Sequence, residues 1–152
     1  MKISSIKLNY TFVVILAALW SLDRAAKLFA LTHLPAQAVY RNHGMAFGIL
    51  KGYPSVCLFL ALLGIGLFAV AIIKYGEAFL TLGVVFLLAG ALGNAADRLI
   101  YGYVIDWINF AGYININLAD VWLCAGVLLL LKNISAAPET PPNDVLFKNE
   151  KD

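Results

Sequence analysis

Asp106 and Asp120 lie in YGYVIDWINFAGYININLADVW, residues 101–122, a stretch between two of the most apolar parts of the chain. Two carboxylates that share one site cannot both ionise, so one keeps its proton while the other is free to activate water. Such a pair is a complete apparatus for peptide hydrolysis: the acid supports the scissile carbonyl, and the base takes a proton from the attacking water. Asp106 has only apolar and aromatic neighbours in VIDWINF, a setting that disfavours ionisation. Asp120 follows Asn117 by three residues in NINLAD, the pattern of a helix N-cap with a first-turn acid.

Acids are scarce elsewhere. Before residue 133 the only others are Asp23, Glu77 and Asp97. In DRAAK, Asp23 and Lys27 have the spacing of an i,i+4 ion pair, and GALGNAADRL carries Asn94, Asp97 and Arg98 about one helical turn apart, beside glycines that permit close helix packing. Asn42 and Gly44 in RNHGMAFGIL read as a turn, where glycine allows positive φ or close approach to a ligand. Each group also has a purely structural reading, as a helix-end salt bridge, an interfacial cap or a loop turn. Asp97 competes with Asp106 for a catalytic role. Arg98, next to Asp97 in sequence, is its natural charge partner, whereas Asp106 has only apolar neighbours.

Other chemistries lack their residues. His33 and His43 share one loop, no serine occupies a G-x-S-x-G elbow, and no His/Cys cluster marks a metal site. A lone loop histidine such as His43 reads as solvated rather than as a base. Cys57 and Cys124 both fall inside apolar runs, where a small, weakly polar side chain packs well. No metal or cofactor is expected.

The elements that position these residues must sit in a membrane. Of 152 residues, 62% are hydrophobic and 13% charged, and the mean hydropathy is +0.83, more apolar surface than one soluble core can hide. The formal net charge of +2 provides no basic stripe, so nucleic acid is not an expected partner. A spanning helix needs roughly 20 apolar residues. Four stretches meet that measure: about Tyr10 to Leu31, Ser55 to Ile73, Ala78 to Ala95 and Ile114 to Leu131. Backbone groups left unsatisfied in lipid cost several kcal/mol each, so the expected fold is an all-α membrane protein, one domain over 1–132 with four transmembrane helices.

The connections differ in size. Little more than KYGE joins the second and third spans, whereas Thr32 to Pro54 and Ala96 to Tyr113 form long connections. Alternation puts both long connections, and every acid before the tail except Glu77, at one membrane face, and both termini at the other. Near the bilayer centre a charge costs on the order of 3 kcal/mol, so clustered carboxylates at one face mark a functional site. Lysine and arginine counts, six on the terminal side against five on the other, leave the orientation open. Lys2 and Lys7 ahead of TFVVILAALW look like a signal peptide, but three more apolar segments follow, and the segment reads as a retained first span. After Lys132, NISAAPETPPNDVLFKNEKD is rich in proline and charge, the composition of a disordered tail over 133–152.

Five blocks in order, DRAAK, NHGMAFG, GALGNAADRL, VIDWINF and INLADVWLCAG, resemble the blocks of lipoprotein signal peptidase, the type II signal peptidase of bacteria. The resemblance runs from about Asp23 to Gly126. It implies an aspartic peptidase of the bacterial cytoplasmic membrane that cuts prolipoproteins just before a diacylglyceryl-modified cysteine and is sensitive to globomycin. It places the catalytic pair on Asp106 and Asp120. Asp23, Lys27, Asn42, Gly44, Asn94, Asp97, Arg98 and Asn117 then match positions that organise the site or hold substrate. It further implies cytoplasmic termini, an active site near the outer face, outer loops with room for a small β cradle, contact with membrane lipid, and a monomer.

The chain departs from the family pattern in a short connection between Asp106 and Asp120, in Ile116 where an aromatic is frequent, and in Val121 where a small hydroxyl residue is usual. Two other classes stay open: a small proton-coupled transporter, which would spread its charges along a path across the bilayer, and a catalytically inactive membrane scaffold.

Overall fold

The computed structural model describes residues 10–45, 50–76, 79 and 81–135. Four long helices account for most of them: α1 (Tyr10–His33), α2 (Pro54–Tyr75), α3 (Leu82–Tyr101) and α4 (Leu118–Ser135). Their ends follow local chemistry. Pro54 opens α2, where a missing N–H costs nothing. The Thr81 hydroxyl accepts from Val84 N at the head of α3, and Gly102, at φ +79°, closes it by donating its N–H to the Arg98 carbonyl at 3.1 Å.

Two of these helices differ from the sequence expectation. The third begins after Thr81 rather than at Ala78, and it runs through the polar AADR segment to Tyr101 instead of stopping at Ala95. The acid of that segment is neutralised from α1, so the helix has no need to end there. The fourth begins at Leu118, because Ile114–Ile116 forms a strand; its apolar–polar–apolar alternation is a period of two. The tail expected over 133–152 lies outside the described residues from 136 onward, and Glu77 lies outside them too.

Four short strands lie between the helices, one between α1 and α2 and three between α3 and α4. β1 (Tyr40–Asn42) pairs antiparallel with β2 (Val104–Asp106), setting Tyr40 opposite Asp106 and Asn42 opposite Val104. β3 (Ile108–Phe110) pairs antiparallel with β4 (Ile114–Ile116), and Trp107 N donates to the Ile116 carbonyl at 3.1 Å, so this hairpin continues directly from β2. Its turn has φ +54° at Ala111 and +78° at Gly112, with Tyr113 N bonded to the Phe110 carbonyl, the two-residue turn whose twist suits a hairpin. That turn explains how so short a chain returns from Asp106 to Asp120.

Helix α3 is the centre of the bundle, packing most extensively on α4 and then on α1 and α2. A Cβ on Gly90 would come within 2.7 Å of Leu123 Cγ, and one on Gly126 within 2.7 Å of Leu87 Cγ, so glycine sets how closely α3 and α4 approach. Val84, Val85 and Leu88 form an apolar core with Ile15, Phe68 and Ile72, toward the end of α3 away from Asp97. Among the described residues, α2 and α3 are long and apolar enough to cross a membrane. In α2 only Cys57 is buried, while Phe59, Leu63, Leu67 and Val70 are exposed. An apolar helix so little covered by its own protein is not the core helix of a soluble domain, and the chain is a membrane protein.

Candidate active site

The first turn of α4 and the end of β2 bring Asp120 and Asp106 to the same amide. Asn117 Nδ2 donates to Asp106 Oδ1 at 2.5 Å, and Asn117 Oδ1 accepts from Asp120 N at 3.1 Å. Asp106 Oδ2 accepts from Asn42 Nδ2 at 2.9 Å, across the β1–β2 ribbon. Asp120 receives Asn94 Nδ2 on Oδ1 at 2.9 Å and Asn117 N on Oδ2 at 3.1 Å. Three asparagines therefore orient two carboxylates, and Asn94 and Asn117 are themselves joined, Nδ2 of Asn117 reaching Asn94 Oδ1 at 3.2 Å.

Beneath the asparagines lies an ionic layer. Lys27 Nζ sits 3.1 Å from Asp23 Oδ2, 2.7 Å from Asp97 Oδ2 and 3.1 Å from Asn94 Oδ1. Lys27 is 1% exposed, and Asp23 and Asp97 are fully buried, so these charges persist only because they are paired. Gly93 leaves room for them: a Cβ there would meet Asp23 Oδ2 at 2.7 Å. On the other side Arg98 Nη2 donates to the Gly44 carbonyl at 2.7 Å and Nη1 to the Asn94 carbonyl, while Gly44 N donates to Asn42 Oδ1 at 2.9 Å. All ten residues singled out from the sequence join this one network.

The electrostatics separate Asp106 from an ordinary carboxylate. Asp106 is 1% exposed. Burial first, and then the neighbouring Asp120 carboxylate, push its carboxyl up to about 6, against the Asn117 and Asn42 amides and the charge of Lys27. A carboxyl that holds a proton near neutrality beside a second carboxylate has the properties of an acid–base pair. Among the described residues no group of His, Cys, Asp and Glu could hold a metal ion.

Comparison with known proteins identifies the setting. The family model for signal peptidase II matches residues 12–135. The chain belongs to the signal peptidase II family. The lipoprotein signal peptidase of Clostridium novyi is 34% identical over 128 residues, covering 72% of this chain and 86% of that one. That of Streptococcus agalactiae is 27% identical over 134 residues, covering 78% and 87%. A bacterial membrane enzyme solved by the in meso method at 1.9 Å resolution superposes with a TM-score of 0.73 at 25% identity, over 86% of this chain and 96% of that one. A second structure so described, at 2.3 Å, gives 0.69 at 26% identity.

In this signal peptidase II the geometry also corrects two details. Arg98 is not the partner of Asp97; consecutive helix residues point in different directions, and Asp97 turns instead toward α1, where Lys27 and Arg24 meet it. Arg24, a basic residue next to Asp23 at a helix end, has the look of a solvated charge in the sequence. Its Nη1 lies 2.6 Å from Asp97 Oδ1. The signal that finds it is the four-residue spacing of Asp23 and Lys27: with those two turned inward, Arg24 lies on an adjoining face. The histidine rings contact aromatic side chains, His33 stacked on Phe29 and His43 against Tyr103.

Proposed function

We propose that this chain is a membrane aspartic endopeptidase that removes the signal peptide from diacylglyceryl-modified prolipoproteins, cutting just before the lipidated cysteine, with Asp106 and Asp120 as its catalytic pair. Membership of the signal peptidase II family carries the substrate class. The observation that carries the residue assignment is Asn117 bridging Asp106 and Asp120. In the reaction Asp106 starts protonated and donates to the scissile carbonyl oxygen, while Asp120 takes a proton from water as it attacks the carbonyl carbon. Collapse of the tetrahedral intermediate returns a proton to the leaving amine. Because the two groups titrate together, the starting proton belongs to the pair.

The remaining helices complete the reading. All four helices span the bacterial cytoplasmic membrane, residues 1–132 forming the peptidase domain and the polar tail lying with both termini in the cytoplasm. The ribbons and the loop from Thr32 to Pro54 then lie at the outer interface, where the scissile bond of a membrane-held signal peptide meets water. The charge pattern supports this over a transporter, since the ionised groups gather at the Asp97 end of α3 rather than along a path. The two aspartates held on Asn117 support it over an inactive scaffold. The chain acts as a monomer and needs no cofactor. Incubation of the purified protein with a diacylglyceryl-modified prolipoprotein, with and without globomycin, tests the reading: inhibitor-sensitive cleavage is expected, and absence of cleavage contradicts it.

A further inference from the structure

Two carboxylates outside the candidate pair each hold the backbone N–H that directly precedes a member of it. Asp97 Oδ2 accepts from Ile105 N at 3.1 Å, one residue before Asp106. Asp23 Oδ1 accepts from Ala119 N at 3.0 Å, one residue before Asp120. Arg24 reaches both holders, with Nη1 2.6 Å from Asp97 Oδ1 and Nη2 2.9 Å from Asp23 Oδ2, and Nη2 also donates to the Gly93 carbonyl at 3.1 Å.

We infer that Arg24 is a positioning residue of the peptidase, a planar clamp that fixes β2 and the first turn of α4 relative to each other and so sets the geometry of the aspartate pair. The inference rests on the proposed assignment of Asp106 and Asp120. A guanidinium presents its N–H groups in a rigid fork, so two carboxylates bound to one fork are fixed in mutual direction as well as in distance. Lys27 touches the same two carboxylates, but its ammonium is a point charge and it also serves Asn94 Oδ1. It cannot impose a direction on them.

Charge balance assigns Arg24 a second effect. Asp23 and Lys27 of α1, Asp97 of α3 and Arg24 together carry two charges of each sign. Facing them are Asp106 on β2 and Asp120 on α4, while Arg98 of α3 is turned to the Gly44 carbonyl. Without Arg24 the layer beneath the pair has one uncompensated negative charge. The Arg24 side chain is 19% exposed, at the rim of the cluster, and it lies outside the apolar core around Val84, Val85 and Leu88.

The test compares wild type, Arg24→Gln and Arg24→Lys for prolipoprotein processing across pH in the same proteoliposomes, together with hydrogen exchange at the Ile105 and Ala119 amides. For Arg24→Gln the expected result is a fall in kcat of roughly 10- to 100-fold with KM within about threefold, as for misplaced catalytic groups. Its pH profile moves to higher pH, because an extra negative charge holds the shared proton more tightly, and both amides lose protection. Arg24→Lys restores the charge without the fork, so its pH profile matches wild type while kcat recovers only in part. A kcat for Arg24→Gln within about twofold of wild type, or a loss of turnover with both amides still protected, overturns the inference. If Arg24→Gln does not fold, Arg24→Lys decides: wild-type kcat there overturns the clamp, and a loss with an unshifted pH profile supports it. A wild-type protein that fails to process the prolipoprotein contradicts the proposed function instead, and the exchange measurement still reads the clamp.

Discussion

Asn117 and Asp120 hold each other at the head of α4: Asp120 N donates to Asn117 Oδ1, and Asn117 N donates to Asp120 Oδ2, both at 3.1 Å. This is a capping box with aspartate in place of the usual Glu or Gln. The same bonds that begin the helix aim the Asp120 carboxylate, and they leave the Asn117 amide free to reach Asp106. One residue pair thus serves the fold and the site.

Replacing Asn117 separates those two services. Asn117→Ala removes the cap and two further side-chain bonds, to Asp106 and Asn94, and it is expected to lose about 1 kcal/mol from the cap alone, with processing reduced at least about tenfold. Asn117→Ser keeps a capping oxygen but has no amide for Asp106. It is expected to recover most of the thermal stability and little of the activity, measured by thermal unfolding and turnover on the same preparations.

Stability should respond to pH through Asp106. Its carboxyl is raised from 3.8 to about 6, so the stability linked to this group is fully present below about 4 and is lost as pH rises through 6. A shift of that size corresponds to roughly 3 kcal/mol. Asp106→Asn cannot ionise, although its amide turns one N–H toward the Asn42 or Asn117 donors. The stability of the variant relative to wild type is therefore expected to rise between pH 4 and pH 8, read from unfolding midpoints at several pH values. A difference that stays flat over that range contradicts the burial argument.

How much of this could be read from the chain depends on which signals stood alone. The acids did, because an apolar sequence leaves few of them, and scarcity pointed to Asp23, Asp97, Asp106 and Asp120 before any geometry. Helix ends were harder. Phe79 and Leu80 are as apolar as the helix they precede, so only the Thr81 cap reveals where α3 starts. Polar AADR looks like an end until α1 is known to carry the opposing charges, a tertiary fact with no local trace. Ile114–Ile116 reads as the start of the fourth span because an apolar run follows it, although its alternation of apolar and polar residues is the period of a strand. Arg24 is marked only indirectly, by the inward turn that the Asp23–Lys27 spacing implies; its pairing with Asp97 across helices has no trace of its own in the sequence.

Close approach at Gly93 gives a third prediction. A Cβ there would lie 2.7 Å from Asp23 Oδ2 and 3.1 Å from the Ala119 Cβ, so Gly93→Ala must displace α1 or the head of α4. The expected cost is about 1–3 kcal/mol, with a loss of processing larger than stability alone explains, since Asp23 holds Ala119 N. Thermal unfolding and turnover on folded protein check both parts.

The hairpin tip provides a contrasting case. Ala111 adopts φ +54°, where a Cβ is strained, and it is exposed at the end of β3. Asparagine tolerates that conformation and favours this turn with Gly112. Ala111→Asn is expected to raise stability by about 0.5–1 kcal/mol with turnover unchanged. Unchanged or lower stability would show that the turn is not under this strain.

The central claim is that Asp106 and Asp120 perform the cleavage together. The most direct measurement is processing of a diacylglyceryl-modified prolipoprotein by Asp106→Asn and Asp120→Asn proteins whose folding is verified by thermal unfolding. The account predicts that each substitution lowers turnover by at least about a thousandfold, and that the double variant is little worse than either alone, as for groups that act as a unit. Cleavage by either folded variant at near the wild-type rate would contradict it.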